Sequence, residues 1–106
     1  MTFADNLKTL PAIDGIARIE LVSMGGQLAG VIENQPGKQG SLCVYAYLLR
    51  RFGKIDATAA SEGLKLFAEH TPDARANPGK HPNIDRLLAI EAGTTALEGK
   101  IFYARE

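Results

Sequence analysis

Residues 71–85, read TPDARANPGKHPNID, constrain the fold more than any other stretch of the chain. They hold three of the five prolines and one of the two histidines. Proline lacks a backbone donor and glycine weakens helix and strand alike, so the centre, Asn77 to Asn83, belongs to neither a helix nor a central strand. A segment this long in a small domain is usually functional or disordered. It ends in a helix-start pattern, Asn83 ahead of Ile84-Asp85-Arg86-Leu87-Leu88. The whole of 71–83 is therefore expected to be one ordered loop between two helices.

The elements on either side read from their periodicity. Thr2-Phe3-Ala4-Asp5 resembles a capping box, and Phe3, Leu7 and Leu10 share one face of a short helix that Pro11 ends. Ile16 to Ser23 alternates, with Ala17, Ile19 and Leu21 on one side and Arg18 and Glu20 on the other. Met24-Gly25-Gly26-Gln27 turns the chain into a second strand, Leu28 to Glu33, with both glycines free for positive φ. Gly30 marks a bulge or a close backbone approach.

Ser41 is the expected N-cap of a helix over Leu42 to Phe52, with Leu42, Tyr45, Leu48, Leu49 and Phe52 facing the core. Asp56 starts another helix reaching about His70, with Ala57, Ala60, Leu64, Phe67 and Ala68 inward. Gly63 lies inside it, where glycine costs ~1 kcal/mol relative to alanine, so something is expected to approach there. After the loop comes a short helix built on Ile84, Leu87 and Leu88. A final strand over Thr94 to Arg105 has Leu97, Ile101 and Tyr103 in phase and Gly99 as a bulge.

The order is α-β-β-α-α-α-β. It implies a single α+β domain over 1–106, with a small three-stranded, mostly antiparallel sheet covered on one face by helices. Whether the last strand joins the first or the second is open. The sheet edges leave a monomer or a homodimer possible.

Formal net charge is zero, from 12 basic and 12 acidic residues, and charges of both signs are interspersed. That argues against a nucleic-acid partner. No apolar run reaches the ~18 residues of a membrane span, so no membrane partner is expected. The N-terminal stretch lacks the charge and apolar core of a signal peptide. The lone Cys43 excludes an internal disulfide and a cysteine-based zinc site. A cytoplasmic protein without a cofactor is expected.

One internal echo stands out. Pro36-Gly37-Lys38-Gln39-Gly40-Ser41-Leu42 parallels Pro78-Gly79-Lys80-His81-Pro82-Asn83-Ile84. Each puts Pro-Gly-Lys just ahead of a helix start, where free N–H groups and the dipole favour an anion. Gly37, Lys38, Gly40, Ser41, Gly79, Lys80, His81 and Asn83 are thus candidate ligand-binding residues. Neither loop is a Walker A or a dinucleotide fingerprint, and the same punctuation also serves as plain loop-to-helix turns.

Cys43, placed second in its helix, is a candidate nucleophile, with His70 or His81 as base and Asp85 as orienter. A buried packing role is the alternative. His70, Asp73, His81 and Asp85 carry nitrogen and oxygen donors, but at no recognised metal spacing. Arg75 is placed to brace the loop against Asp73 or Asp85.

The segment from Pro36 to Leu42 and the run from Glu69 to Leu87 resemble a family of small bacterial proteins of about 100 residues, known only as a conserved domain of unknown function. The resemblance covers nearly the whole chain. It implies a bacterial, cytoplasmic, single-domain protein and brings no catalytic residues. Two functions remain. The first is a non-enzymatic binding module whose two Pro-Gly-Lys loops meet an anionic small molecule or a protein partner; it requires Lys38 and Lys80 to converge and their backbone N–H groups to be unpaired. The second is a small enzyme using Cys43 or a His/Asp cluster; it requires a histidine beside the thiol.

Overall fold

A computed structural model describes residues 2–104. Helix α1 (Phe3–Thr9) is followed by strands β1 (Ile16–Ser23) and β2 (Leu28–Glu33). Helices α2 (Gln39–Phe52), α3 (Ala57–Phe67), α4 (His70–Ala76) and α5 (Pro82–Glu91) come next, and strand β3 (Leu97–Tyr103) closes the fold. The α+β class, the antiparallel sheet and the order of the expected elements stand; α4 is added inside the segment expected to be loop. The expected strand end at Arg105 lies outside the described residues.

β1 forms the centre of the sheet, in the order β2-β1-β3, with both pairings antiparallel. Ile16, Ile19 and Leu21 are its buried residues. Strict alternation would have put Ala17 inward with Ile19. The register against β3 slips between Ile16 and Arg18, so Ala17 is the extra residue of a bulge and Ile16 turns to the core. A second slip, between Leu21 and Val22, leaves Ala29 of β2 unmatched beside Gly30. Gly99 is not a bulge: it pairs with Leu21 in regular register, and its missing side chain makes room for the Leu49 methyls. The hairpin uses one glycine with positive φ, Gly26 at +89°. Tyr103 is exposed rather than inward, and Phe102 lies on the uncovered face with the Arg18 guanidinium 4.1 Å above its ring.

α2 is the middle layer. It touches all three strands on one side and α3 on the other. This explains why its buried set is wider than one stripe: Val44 and Ala46 are buried with Leu42, Tyr45, Leu48 and Leu49. Gly53, at φ +79°, ends it as a left-handed cap. Asp56 caps α3 through the Ala59 amide, as expected. The buried face of α3 is Ala59, Ala60, Gly63, Leu64 and Phe67; Ala57 is exposed, because the stripe runs through Gly63 rather than past it.

α3 ends at Phe67, not near His70, and a short link carrying Ala68 at φ +51° leads into α4. Pro72 is the third residue of α4, in the first turn, where a missing N–H costs no intrahelical bond. Buried Thr71 donates its hydroxyl to the Leu64 carbonyl at 2.7 Å, satisfying a group at the end of α3.

A methyl group at Gly63 would lie 2.8 Å from Leu87 Cδ1 and 2.9 Å from Leu48 Cδ1. Both leucines are fully buried and have nowhere to retreat. Gly63→Ala is therefore expected to lower unfolding stability by about 1–2 kcal/mol despite alanine's better helix propensity, measured by urea denaturation. An unchanged or raised midpoint would mean that the α2–α3–α5 packing has slack.

Candidate functional site

Both Pro-Gly-Lys segments fold into the same turn. The Lys38 amide donates to the Gln35 carbonyl at 2.9 Å, and the Lys80 amide to the Asn77 carbonyl at 3.1 Å. In each, proline holds the second position and a glycine with positive φ the third, Gly37 at +85° and Gly79 at +91°. This is the pattern of a type II turn. Asn34 anchors the first, accepting from the Gln39 side chain at 3.0 Å while donating to the Ile16 carbonyl at 2.8 Å. Asp85 anchors the second, accepting from the Gly79 amide at 2.8 Å.

Each turn leads straight into a helix, earlier than the sequence suggested. α2 is entered from Lys38, not Ser41, and no side chain caps it. The amides of Gln39, Gly40 and Ser41 consequently have no acceptor among the described residues. α5 is entered from His81, not Asn83, with Pro82 as its first residue, the position where proline is best tolerated. The two lysine amides themselves are paired within their turns; the unpaired donors lie just beyond them.

The two helix starts border one cleft of about 650 Å³. Its walls include Gly37, Lys38, Gly40 and Ser41 from the first turn and Lys80, His81 and Asn83 from the second. Gly79 lies outside the lining and is held by Asp85. Three permanent cations, Lys38, Lys80 and Arg86, line the cleft, together with His70 and His81 and without a carboxylate. Part of the lining is apolar and includes Phe3, Leu7 and Phe67.

Specific bonds hold these walls. The Tyr45 hydroxyl, on the fully buried side chain in the middle of α2, donates to the Asn83 carbonyl at 2.6 Å and ties the start of α5 to α2. Burial pushes this phenol up to about 12, partly opposed by Arg86, so it stays a donor at neutral pH. Arg86 donates to the Asn83 side chain at 2.8 Å and lies against Gly30, where a Cβ would come within 2.5 Å of its Nη2. Gly30 is thus a close-approach glycine for a guanidinium. Arg86 has no acidic partner within salt-bridge distance among the described residues.

Asp73, on α4, is the local counter-ion. It meets His81 Nε2 at 2.6 Å, Lys80 Nζ at 2.9 Å and the Asn77 side chain at 3.0 Å. The His81 and Lys80 hydrogen bonds draw its carboxyl from the usual 3.8 down to about 2. Arg75 does not brace this loop; it reaches Glu91 at 3.6 Å.

Phe3 is held over the cleft by α1. Its amide donates to Glu69 at 2.7 Å, which keeps that carboxyl below its ordinary range, and Asn6 donates to the Leu66 carbonyl at 2.9 Å. The expected capping box at Thr2 and Asp5 is formed.

Cys43 stands apart from this site. Because α2 begins at Gln39, the thiol is on the fifth helical residue rather than the second, and it faces the Pro11 carbonyl at 3.7 Å. Burial raises it, with Arg50 as a smaller opposing influence, which disfavours the thiolate. Both histidines line the cleft and Cys43 does not. Of the four donors weighed for a metal, Asp73 holds His81 and Asp85 holds the Gly79 amide. No three His, Cys, Asp or Glu side chains gather as a ligand set among the described residues. Nor is any described helix long and apolar enough to cross a membrane.

Arg86, Phe3 and Tyr45 were not singled out by the sequence as site residues. Arg86 reads as one more charge on a helix, and its only signal was a glycine in the strand it packs against.

The chain belongs to a bacterial family described as "uncharacterized protein conserved in bacteria (DUF2322)", whose model matches residues 3–101. This bears out the resemblance carried by the two loop segments. No curated protein and no solved structure matches the chain.

The Asp73 shift makes a pH prediction. Its folded value lies below the unfolded one, so the stability it contributes is present above the ordinary carboxylate range and lost as pH falls toward about 2. Asp73→Asn should lower the melting temperature near neutral pH, and the gap to the wild type should close between about pH 4 and pH 2. Thermal unfolding of both proteins across that range reads it directly; a gap independent of pH would show that the carboxylate's charge is not what matters.

Proposed function

We propose that this member of the family is a non-enzymatic, cytoplasmic binding module that holds a small anionic molecule in the cleft between the starts of α2 and α5. One observation carries the reading. A chain with formal net charge zero concentrates three permanent cations and no carboxylate on the walls of one cleft. Such a local excess is not needed for folding, because like charges brought together oppose it. An anion relieves that cost.

The size agrees, since about 650 Å³ falls within the ~300–1,000 Å³ of small-molecule sites. The cations also differ in availability. Lys80 is engaged by Asp73, whereas Lys38 and Arg86 have no acidic partner among the described residues. The uncapped amides of Gln39 to Ser41 add donors beside Lys38. An enzymatic reading through Cys43 lacks support of this kind, because the thiol is raised by burial and does not line the cleft that both histidines line.

The test is an amide NMR titration of the full chain with inorganic phosphate and with acetate. Amides from Gly37 to Leu42 and from Lys80 to Arg86 should shift together along one binding curve. Lys38→Gln, an exposed substitution that leaves the fold alone, should weaken binding by about tenfold, the effect of losing one charge-assisted hydrogen bond worth ~1.5 kcal/mol. Unshifted amides, or equal binding by the variant, would remove the anion site.

A further inference from the structure

We infer that the ligand is an anionic head group joined to a flat aromatic ring, of the class of an aryl phosphate or aryl carboxylate, an inference that rests on the anion reading just given. The reason is the division of the cleft into two unlike walls that meet at Gly40. On one side are Lys38, Arg86 and the free amides of Gln39, Gly40 and Ser41. On the other is a run of rings. Phe3 stacks on Phe67 with centroids 5.2 Å apart and a 20° interplanar angle, and His70 meets Phe3 edge-on at 5.1 Å. His81 continues the run, 5.8 Å from His70.

The walls touch directly. A Cβ on Gly40 would lie 2.8 Å from Phe3 Cζ, so the phenyl ring borders the backbone that carries the free amides. Phe3 is only half-buried, although its neighbour Phe67 is almost wholly covered. It therefore keeps apolar ring surface open to the cleft, next to donors for an anion. A bare phosphate occupies a small part of about 650 Å³ and leaves that surface wet. A ring attached to the head group covers it, and aromatic pairs stack with centroids ~4.5–7 Å apart.

The head group belongs at Lys38 and Arg86 rather than at Lys80. The Lys80 ammonium and His81 Nε2 are already taken by Asp73, at 2.9 and 2.6 Å. Ring and head then lie side by side across Gly40, which suits a head group one or two bonds from the ring.

The experiment is calorimetric titration of the full chain with inorganic phosphate, phenyl phosphate, benzoate and benzyl alcohol, with ring-proton NMR as a second readout. Phenyl phosphate should bind at least tenfold more tightly than inorganic phosphate, and only the aromatic anions should move the Phe3 and Phe67 ring signals. Phe3→Leu, which keeps an apolar side chain on α1, should reduce that preference several-fold. Equal affinity for phenyl phosphate and phosphate, with still rings, would overturn the aromatic ligand while leaving the anion site standing. Benzyl alcohol binding as tightly as phenyl phosphate, or binding by none of the four, would overturn both.

Discussion

The structure depends on α2 lying between the sheet and α3. A 14-residue helix with six buried residues, two of them outside its main stripe, must be covered from two sides. The sheet supplies one cover and α3 the other. Two glycines let the layers close. Gly99 admits Leu49 to the floor of the sheet, and Gly63 admits Leu48 and Leu87 to the surface of α3. Removing a side chain at these points brings backbone near enough for neighbours to fill the interior at crystal-like density. The order of the strands follows too. With β1 central, each flanking strand extends the surface on which α2 rests.

The cleft is a consequence of that layering. Fixing α2 fixes its first turn, and Tyr45 then fixes the start of α5 through a single hydrogen bond to Asn83. Both helices are entered from a Pro-Gly turn, so both starts come without a side-chain cap. Natural helices usually satisfy those donors locally. Here the local solution is omitted at two places that border one cleft, which Arg86 and Lys38 also line. The carboxylate that does come close, Asp73, is spent on Lys80 and His81 and stabilises the second turn. The polarity of the cleft thus arises without any net charge on the chain.

Much of this could be read in advance, and the failures have physical causes. The strands were legible because Ile16 to Glu33 alternates around a glycine turn, and a period of two has few competitors over eight residues. The capping box at Thr2 and the Asp56 cap were legible because caps are local chemistry. The Pro-Gly-Lys echo was legible and became a repeated turn. α4 was missed because Pro72 reads as a breaker, although in a first helical turn it breaks nothing. The starts of α2 and α5 were misplaced at Ser41 and Asn83 because good capping residues attract the assignment even where the chain enters the helix from a turn. Ala17 was misplaced because a bulge shifts a strand's phase without leaving a mark in its composition.

The sequence by itself determined the class, the kind and order of seven of the eight described elements, both glycine-dependent turns and the family. All of these rest on interactions between residues a few positions apart, whose geometry the backbone alone restricts. Only the tertiary structure decided that β3 pairs with β1 and that Lys38 and Lys80 line one cleft. It also decided that Arg86 joins them across Gly30, and that Phe3 borders the free amides at Gly40. Those juxtapositions join residues up to 87 positions apart, Ile16 and Tyr103. They are set by how apolar faces close on α2, a quantity that no local pattern encodes.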